Sequence, residues 1–212
     1  MEVHAPHEKV HTWRDFFVHV GIMTVGLFIA LSLESLVEHV HHLHIVREAR
    51  ENIHLELENN HKAAQDDLGY LQQDIDLTKE NIDAINAMIK SPKDFHGSLS
   101  FKLQFKSLDS AAWDTSRDTG ALAYMPYKDV QGYADLYEDQ KSINDQARVI
   151  FQRQTLAMTP VFMTKNFDIE HTAPSEIQGM LHETSATLIS LNVLKEILQQ
   201  LDDRYVAALK KD

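Results

Sequence analysis

The 212-residue chain contains no cysteine, which excludes disulfide bonds, thiolate metal ligands and cysteine nucleophiles. Only 7 glycines and 5 prolines occur, and this low content favours long helices over a turn-rich β protein. Basic residues are also scarce, since 20 Lys and Arg stand against 32 Asp and Glu and give a formal net charge of −12. Because so acidic a chain repels a phosphate backbone, we expect no nucleic-acid partner.

Several motifs of common catalytic and nucleotide-binding sites are missing as well. The sequence has no GxxxxGK[ST] phosphate loop, no GxGxxG and no GxSxG, which are the local signatures of P-loop, dinucleotide-binding and serine-hydrolase sites. We therefore predict that the protein is not an enzyme and that it carries no catalytic residues and no cofactor.

One long hydrophobic run is present, over residues 16–33, which read FFVHVGIMTVGLFIALSL without a charged side chain. A helix of this length reaches roughly 27 Å, close to the thickness of a bilayer's hydrocarbon core. The apolar signal continues to Val37, so we predict a transmembrane helix over 16–37 after a short tail, 1–15. A cleavable signal peptide and a buried core helix are the alternatives.

Five residues mark how this span meets its surroundings. Trp13 is expected at the membrane boundary, where aromatic residues concentrate, and His19 is close enough to that boundary to reach the interface. Glu34 follows the run directly and can extend to water, or belong to a proton or ion path. Gly26 and Ala30 form a small-xxx-small pair, which is typical of a close helix–helix contact in lipid. The predicted partners are thus the bilayer and either a second copy or another membrane-protein subunit.

The rest of the chain, residues 38–212, is patterned as a helical soluble domain. We predict a long helix over 38–90 that continues the span, a short helix over 107–119, and helices over 127–167 and 175–211. The long helix carries a coiled-coil seam in which apolar residues alternate by three and four; its members are Leu68, Leu71, Ile75, Ile82, Ile85 and Ile89. The predicted fold is all-α, with the membrane helix continuing into a long helix that packs in an antiparallel bundle.

Residues 99–105 have a different period, because apolar and polar residues alternate there. A short strand fits this pattern, but no second strand is available to pair with it. An extended segment that crosses the bundle fits equally well.

Three stretches resemble a known group of proteins. VGLFIAL at residues 25–31, EARENIHLELENN at 48–60 and AWDTSRDTGALAYMP at 112–126 are similar to uncharacterised bacterial single-pass membrane proteins. That family has an N-terminal anchor reading roughly V-x-G-I-L-I-A-L, followed by a helical domain of unknown function. The resemblance implies a bacterial inner-membrane location and a topology, but no activity. The slight excess of basic residues before the span favours a cytoplasmic N-terminus, with 38–212 in the periplasm.

Histidines cluster directly after the span, in EHVHHLH at residues 38–44. On a helix Glu38 and His42 are four residues apart, while Glu38 and His41, and His41 and His44, are three apart; such pairs can chelate a transition metal. His39 and His42 point away from the face that His41 and His44 share, so one helix cannot assemble four ligands. The cluster fits an interfacial belt, a metal or haem site completed by other subunits, or a pH sensor.

These features predict a function in general terms. The leading interpretation is a non-enzymatic, membrane-anchored helical protein that acts by association, as a homo-oligomer or as an accessory subunit of a larger membrane complex. The alternative is a metal- or haem-binding redox or sensory protein that uses the histidine cluster.

Overall fold

A computed structural model of the chain describes residues 12–91, 95, 97–163 and 172–210. Within these residues the secondary structure is helical and no strand occurs. The elements in chain order are α1 (Trp13–Lys90), α2 (Ala111–Asp118), a 3-10 helix (Ala121–Tyr124), α3 (Tyr127–Met163) and α4 (Pro174–Leu209). The predicted all-α fold with a long N-terminal helix is confirmed.

The chain divides into two compact units, residues 1–48 and 49–212. We call them the N-terminal unit and the bundle unit. In the N-terminal unit every residue from Thr12 to His41 is exposed. Its helix contains an 18-residue window with a mean hydropathy of 2.2, none of which is buried within the chain. Among the described residues this is the one helix that is long and apolar enough to cross a membrane.

The bundle unit is held together by an apolar core that α1, α3 and α4 share. Leu71, Ile150, Leu191 and Leu198 are fully buried in it, and burying a leucine or isoleucine side chain stabilises a fold by about 1.5–3 kcal/mol. On each helix the core residues recur every three or four positions, because that spacing places them on one face.

Two sets of contacts give the directions of the helices in the bundle unit. Between α1 and α3 the residue numbers rise together, in the pairs Arg50–Asp129 and Asn60–Gln140. Between α1 and α4 they run in opposite senses, in the pairs His61–Asp202 and Gln72–Lys195. Helix α4 is therefore antiparallel to α1 and α3, whereas α1 and α3 are parallel to each other.

A parallel pair of helices requires a connection that returns the chain to its starting end. Residues 97–110, which we call the return segment, provide this connection. The segment has no helix or strand and contacts α1 at Asn81 through Ser100 and at Asn60 through Asp109. Of the two possibilities for residues 99–105, the structure has the extended segment.

The helix ends follow local chemistry. Gly120 has φ of +78°, a left-handed conformation that glycine adopts at low cost, and α2 ends just before it at Asp118. Helix α3 passes through Pro160 and reaches Met163. At the start of α4 the Glu176 carboxylate accepts a hydrogen bond from the Ala173 N–H at 3.0 Å, which caps the helix. The predicted residues 164–167 and 211 lie outside the described residues.

Candidate functional site

The surface of the N-terminal unit is the first candidate site, because its apolar side chains are exposed. Phe16 and Phe17 lie beside Trp13, with ring centroids 6.0 and 6.1 Å from that of the indole. Trp13 itself is 78% exposed. Aromatic side chains at the end of an apolar helix are typical of the boundary between a membrane and water.

Polar side chains within the apolar run bond to their own helix. The Thr24 and Ser32 hydroxyls donate to the carbonyls of Val20 and Phe28, each at 2.7 Å, and His19 Nδ1 lies 2.7 Å from the Asp15 carbonyl. Each of these side chains reaches a carbonyl four residues earlier. The Thr24 and Ser32 hydroxyls therefore need no water, as a membrane span requires.

Gly26 and Ala30 are placed on the exposed surface of this helix. A Cβ atom built at Gly26 meets no atom within 4 Å, and the same is true at Gly21. Within the part of the chain that the structure describes, nothing therefore requires glycine at either position. The space beside these residues is wide enough for a second helix to approach closely. Glu34 is exposed as well.

The structure places some members of the histidine cluster close to one another. Glu38 Oε1 lies 3.9 Å from His42 Nε2, and the rings of His41 and His42 are 6.2 Å apart between centroids. Among the described residues no group of three or more His, Cys, Asp or Glu side chains is positioned to hold a metal ion. His44 is exposed, and a complete metal site would need ligands beyond the Glu38–His42 pair.

The sequence holds a second possible metal-binding motif, separate from the histidine cluster. Residues 7–11 read HEKVH, which matches the H-E-x-x-H spacing of zinc proteases. The motif lies outside the described residues. Only its spacing in the sequence therefore indicates a zinc site, and zinc analysis of the purified chain tests it directly.

The predicted seam of α1 forms part of the bundle core. Leu71, Ile75 and Ile85 are buried, whereas Leu68, Ile82 and Ile89 are half-buried at its edge. Helix α1 also has buried polar residues beside this seam, and four of them recur every seven residues. We call these the polar ladder: Asn60, Asp67, Asp74 and Asn81.

The polar ladder binds the backbone of the return segment. Asn81 accepts from the Ser100 N–H at 2.9 Å and donates to its carbonyl at 2.7 Å. Asn60 makes the same pair of bonds to Asp109, at 2.9 and 2.8 Å. Each amide thus satisfies both the donor and the acceptor of one residue, as a neighbouring strand would.

The two carboxylates of the ladder each accept one N–H from the return segment. Asp67 accepts from Lys106 at 2.9 Å and Asp74 from Gln104 at 3.1 Å. Burial raises the pKa of Asp67 to about 6 and also raises that of Asp74. The second oxygen of Asp67 has no hydrogen-bond partner among the described residues, so this carboxylate is costly to ionise.

Further polar groups join α1 to α2, α3 and α4. Glu56 accepts from the Tyr137 hydroxyl at 2.7 Å and from the Ala112 N–H at 2.8 Å. Burial, followed by the bond to Glu56, raises the pKa of Tyr137 above its usual range. His61 Nδ1 lies 2.5 Å from Asp202 Oδ1. These bonds fix the geometry of the bundle.

No protein-family profile, curated protein or solved structure matches this chain.

Proposed function

We propose that the chain is a non-enzymatic, single-pass, membrane-anchored helical protein that acts by association. Its partners are copies of itself or other subunits of a membrane complex. The observation that carries the proposal is the 18-residue apolar window of the N-terminal unit, of which none is buried within the chain. An exposed apolar surface of this extent needs a cover from outside the chain, and a bilayer provides it.

The polar side chains of the run support the membrane as this cover. Thr24 and Ser32 donate to carbonyls of their own helix, so neither leaves an unpaired hydroxyl in hydrocarbon. Extraction of membranes with alkaline carbonate tests the anchor. The full chain is expected to stay with the lipid, and its release into the soluble fraction would contradict the proposal.

Association is proposed to use the face around Gly26 and Ala30. Because a Cβ at Gly26 meets nothing within 4 Å, Gly26→Leu leaves the single chain undisturbed and blocks only an approach from outside. The mass of the full chain in lipid nanodiscs should correspond to an oligomer or to a complex with a co-purifying subunit. Gly26→Leu should reduce that mass towards the monomer.

Gly69→Leu is the matched control for this substitution. Gly69 is on the same helix, outside the apolar run, and its Cβ direction is equally open. The Gly69→Leu variant should keep the mass of the unchanged protein. A strictly monomeric unchanged protein, or an equal response to both substitutions, would contradict association through this face.

We also propose a bacterial inner-membrane location with residues 38–212 in the periplasm, supported by the basic residues Lys9 and Arg14 before the run. The absence of cysteine makes a direct test possible. Ser142→Cys, on the exposed surface of the bundle unit, should react in intact cells with a maleimide that cannot cross membranes, whereas Glu2→Cys should react only after lysis. The reverse pattern would place the bundle unit in the cytoplasm.

Metal content separates this proposal from a metalloenzyme or a haem protein. Elemental analysis and an absorption spectrum of the purified chain are expected to show neither stoichiometric zinc nor a haem band. Zinc that disappears in His11→Ala would favour a site at the HEKVH motif. Metal or haem that disappears in His42→Ala would favour a site in the histidine cluster.

A further inference from the structure

The buried apolar residues of the bundle unit form two separate clusters. The main core extends along α1 as far as Ile75, along α3 as far as Ile150 and along α4 from Leu191 to Tyr205. The second cluster, which we call the distal core, is built around Ile85, Met88, Ile177 and Met180. No buried apolar side chain joins the two clusters among the described residues.

Polar residues occupy the buried positions between the two cores. We call them the polar layer, and they come from all three long helices: Thr78 and Asn81 from α1, Gln154 from α3, and Thr184 and Thr187 from α4. All five are at most 7% exposed. The small side chain of Ala157 is the buried apolar residue of α3 at this level.

Among the described residues, no hydrogen bond of the polar layer runs directly from one long helix to another. The Thr78 hydroxyl donates to the carbonyl of Asp74 on its own helix. Asn81 bonds to Ser100 and Gln154 to the Lys102 carbonyl, both in the return segment. Asn81 and Gln154 thus connect α1 to α3 through the return segment, whereas none of these bonds reaches α4, which is joined to α3 at this level by the more exposed Arg153–Glu183 ion pair.

The two threonines of α4 make the layer weaker still. The hydroxyls of Thr184 and Thr187 are buried and have no hydrogen-bond partner among the described residues. A buried hydroxyl without a partner destabilises the closed state, because water would satisfy it in an open one. Pro160 adds to this on α3, since it cannot donate the helical hydrogen bond to Leu156.

We propose that the distal core opens as a cooperative unit of its own while the main core stays folded. The polar layer is the boundary at which the bundle separates. Opening brings the apolar side chains around Ile85, Met88, Ile177 and Met180 to the surface, and closing buries them again. The inference concerns the bundle unit alone and does not rest on the membrane span or on association.

Hydrogen exchange of the full chain in nanodiscs, followed by mass spectrometry in increasing urea, tests the proposal. Amides of residues 177–183 should exchange through an opening with a small dependence on urea and with protection at least tenfold below that of residues 191–201. If both segments exchange with the same protection and the same dependence on urea, the bundle unfolds as one unit and the proposal fails.

Two pairs of variants locate the boundary. Thr184→Val with Thr187→Val removes the unpaired hydroxyls, so the protection of residues 177–183 should rise about tenfold or more. Thr159→Val is the control, because the exposed Thr159 hydroxyl bonds to the Thr155 carbonyl of its own helix. This substitution should change the protection of residues 177–183 less than threefold. An equal response to both substitutions would show that the layer does not set the opening.

The second pair weakens each core in turn. Leu194→Ala, in the main core, should lower the protection of residues 191–201 and leave that of 177–183 unchanged, because Leu194 stays packed when the distal core opens. Met180→Ala, in the distal core, should lower the protection of both segments, because the packing of Met180 is lost in the partial and in the global opening. Loss of protection at 177–183 in Leu194→Ala would contradict separate opening, even if the threonine variants do not fold.

Discussion

The first and second parts of α1 differ in the burial of their apolar side chains and in the partners of their polar ones. In the N-terminal unit Val25 and Ile29 are 58% and 57% exposed, whereas Ile53 and Leu57 of the bundle unit are fully buried. Polar residues differ too, since Thr24 bonds to its own helix and Asn60 bonds to Asp109 and Gln140. One part completes its contacts within the chain, and the other offers an apolar surface to its surroundings.

Charging the exposed apolar surface should have the largest effect on this contrast. Val25→Arg with Ile29→Arg places two charges in the run, and each costs about 2.5–3.5 kcal/mol at the centre of a membrane helix. The double variant should therefore be released by alkaline carbonate. Leu55→Arg with Ile189→Arg, both exposed in the bundle unit, should remain in the membrane. Retention of the first pair would mean that these residues do not face lipid.

Truncating a buried side chain of the bundle unit should have the next largest effect. Leu198 is fully buried, and Leu198→Ala should lower the free energy of unfolding by about 2–5 kcal/mol. Leu27→Ala in the N-terminal unit should leave unfolding of the bundle unit unchanged. Urea unfolding followed by circular dichroism measures both. A large effect of Leu27→Ala would link the units energetically and remove the contrast.

The buried carboxylate of Asp67 should make stability depend on pH. Its pKa is about 6 in the folded protein against 3.8 for the unfolded chain, so the folded state holds the proton more tightly. The stabilisation from this group is complete below pH 3.8 and is lost as the pH rises to about 6; it corresponds to about 3 kcal/mol. Asp67→Asn should flatten this decline, measured by urea unfolding between pH 4 and 7.

Asp76 is the control for Asp67, because it is exposed and its pKa is lowered by hydrogen bonds from Gln72 and Lys79. The stabilisation from Asp76 has the opposite sign, since it is present above the unfolded pKa and lost as the pH falls. Asp76→Asn should therefore leave the decline above pH 4 in place. If Asp67→Asn also leaves it unchanged, the ionisation of Asp67 is not its cause.

Removing one residue of the polar ladder should have the smallest effect of the four predicted here. Asn81→Ala leaves the N–H and carbonyl of Ser100 without their partner, which should cost about 1–3 kcal/mol of stability. Asn192→Ala removes an exposed amide that bonds only to its own helix at Leu188, and it should change stability by less than about 0.5 kcal/mol. Equal effects would mean that the return segment does not depend on the ladder.

Periodicity identified the helices and half of the face that α1 buries. Leu71 and Ile85 could be predicted as core residues, because apolar side chains at helical spacing indicate a buried face. Asp67, Asp74 and Asn81 could not, since polar residues are expected at the surface and their burial depends on a backbone that arrives from residues 97–110. Their seven-residue spacing was the available signal. This spacing indicates buried polar residues only when the sequence also contains an extended segment without a strand partner, whose backbone they can bind.

The candidate site in the N-terminal unit could be predicted in kind but not in detail. The absence of charge over residues 16–33 already indicates a helix that needs an apolar environment. The histidine cluster shows the limit of spacing arguments. Helical spacing allowed His41 and His44 to share a face with Glu38, but the contact that the structure shows to that carboxylate comes from His42, at 3.9 Å.

The polar ladder recognises main-chain atoms, and this has a consequence for how the sequence can change. Bonds to the backbone of Ser100, Gln104 and Lys106 do not depend on which side chains those residues carry. The outward-facing positions of the return segment are thus free to accumulate substitutions, while Asn60 and Asn81 are confined to amides. In relatives of this chain, a loop of drifting sequence should face a helix with a strict seven-residue signature, and the signature is what would identify them.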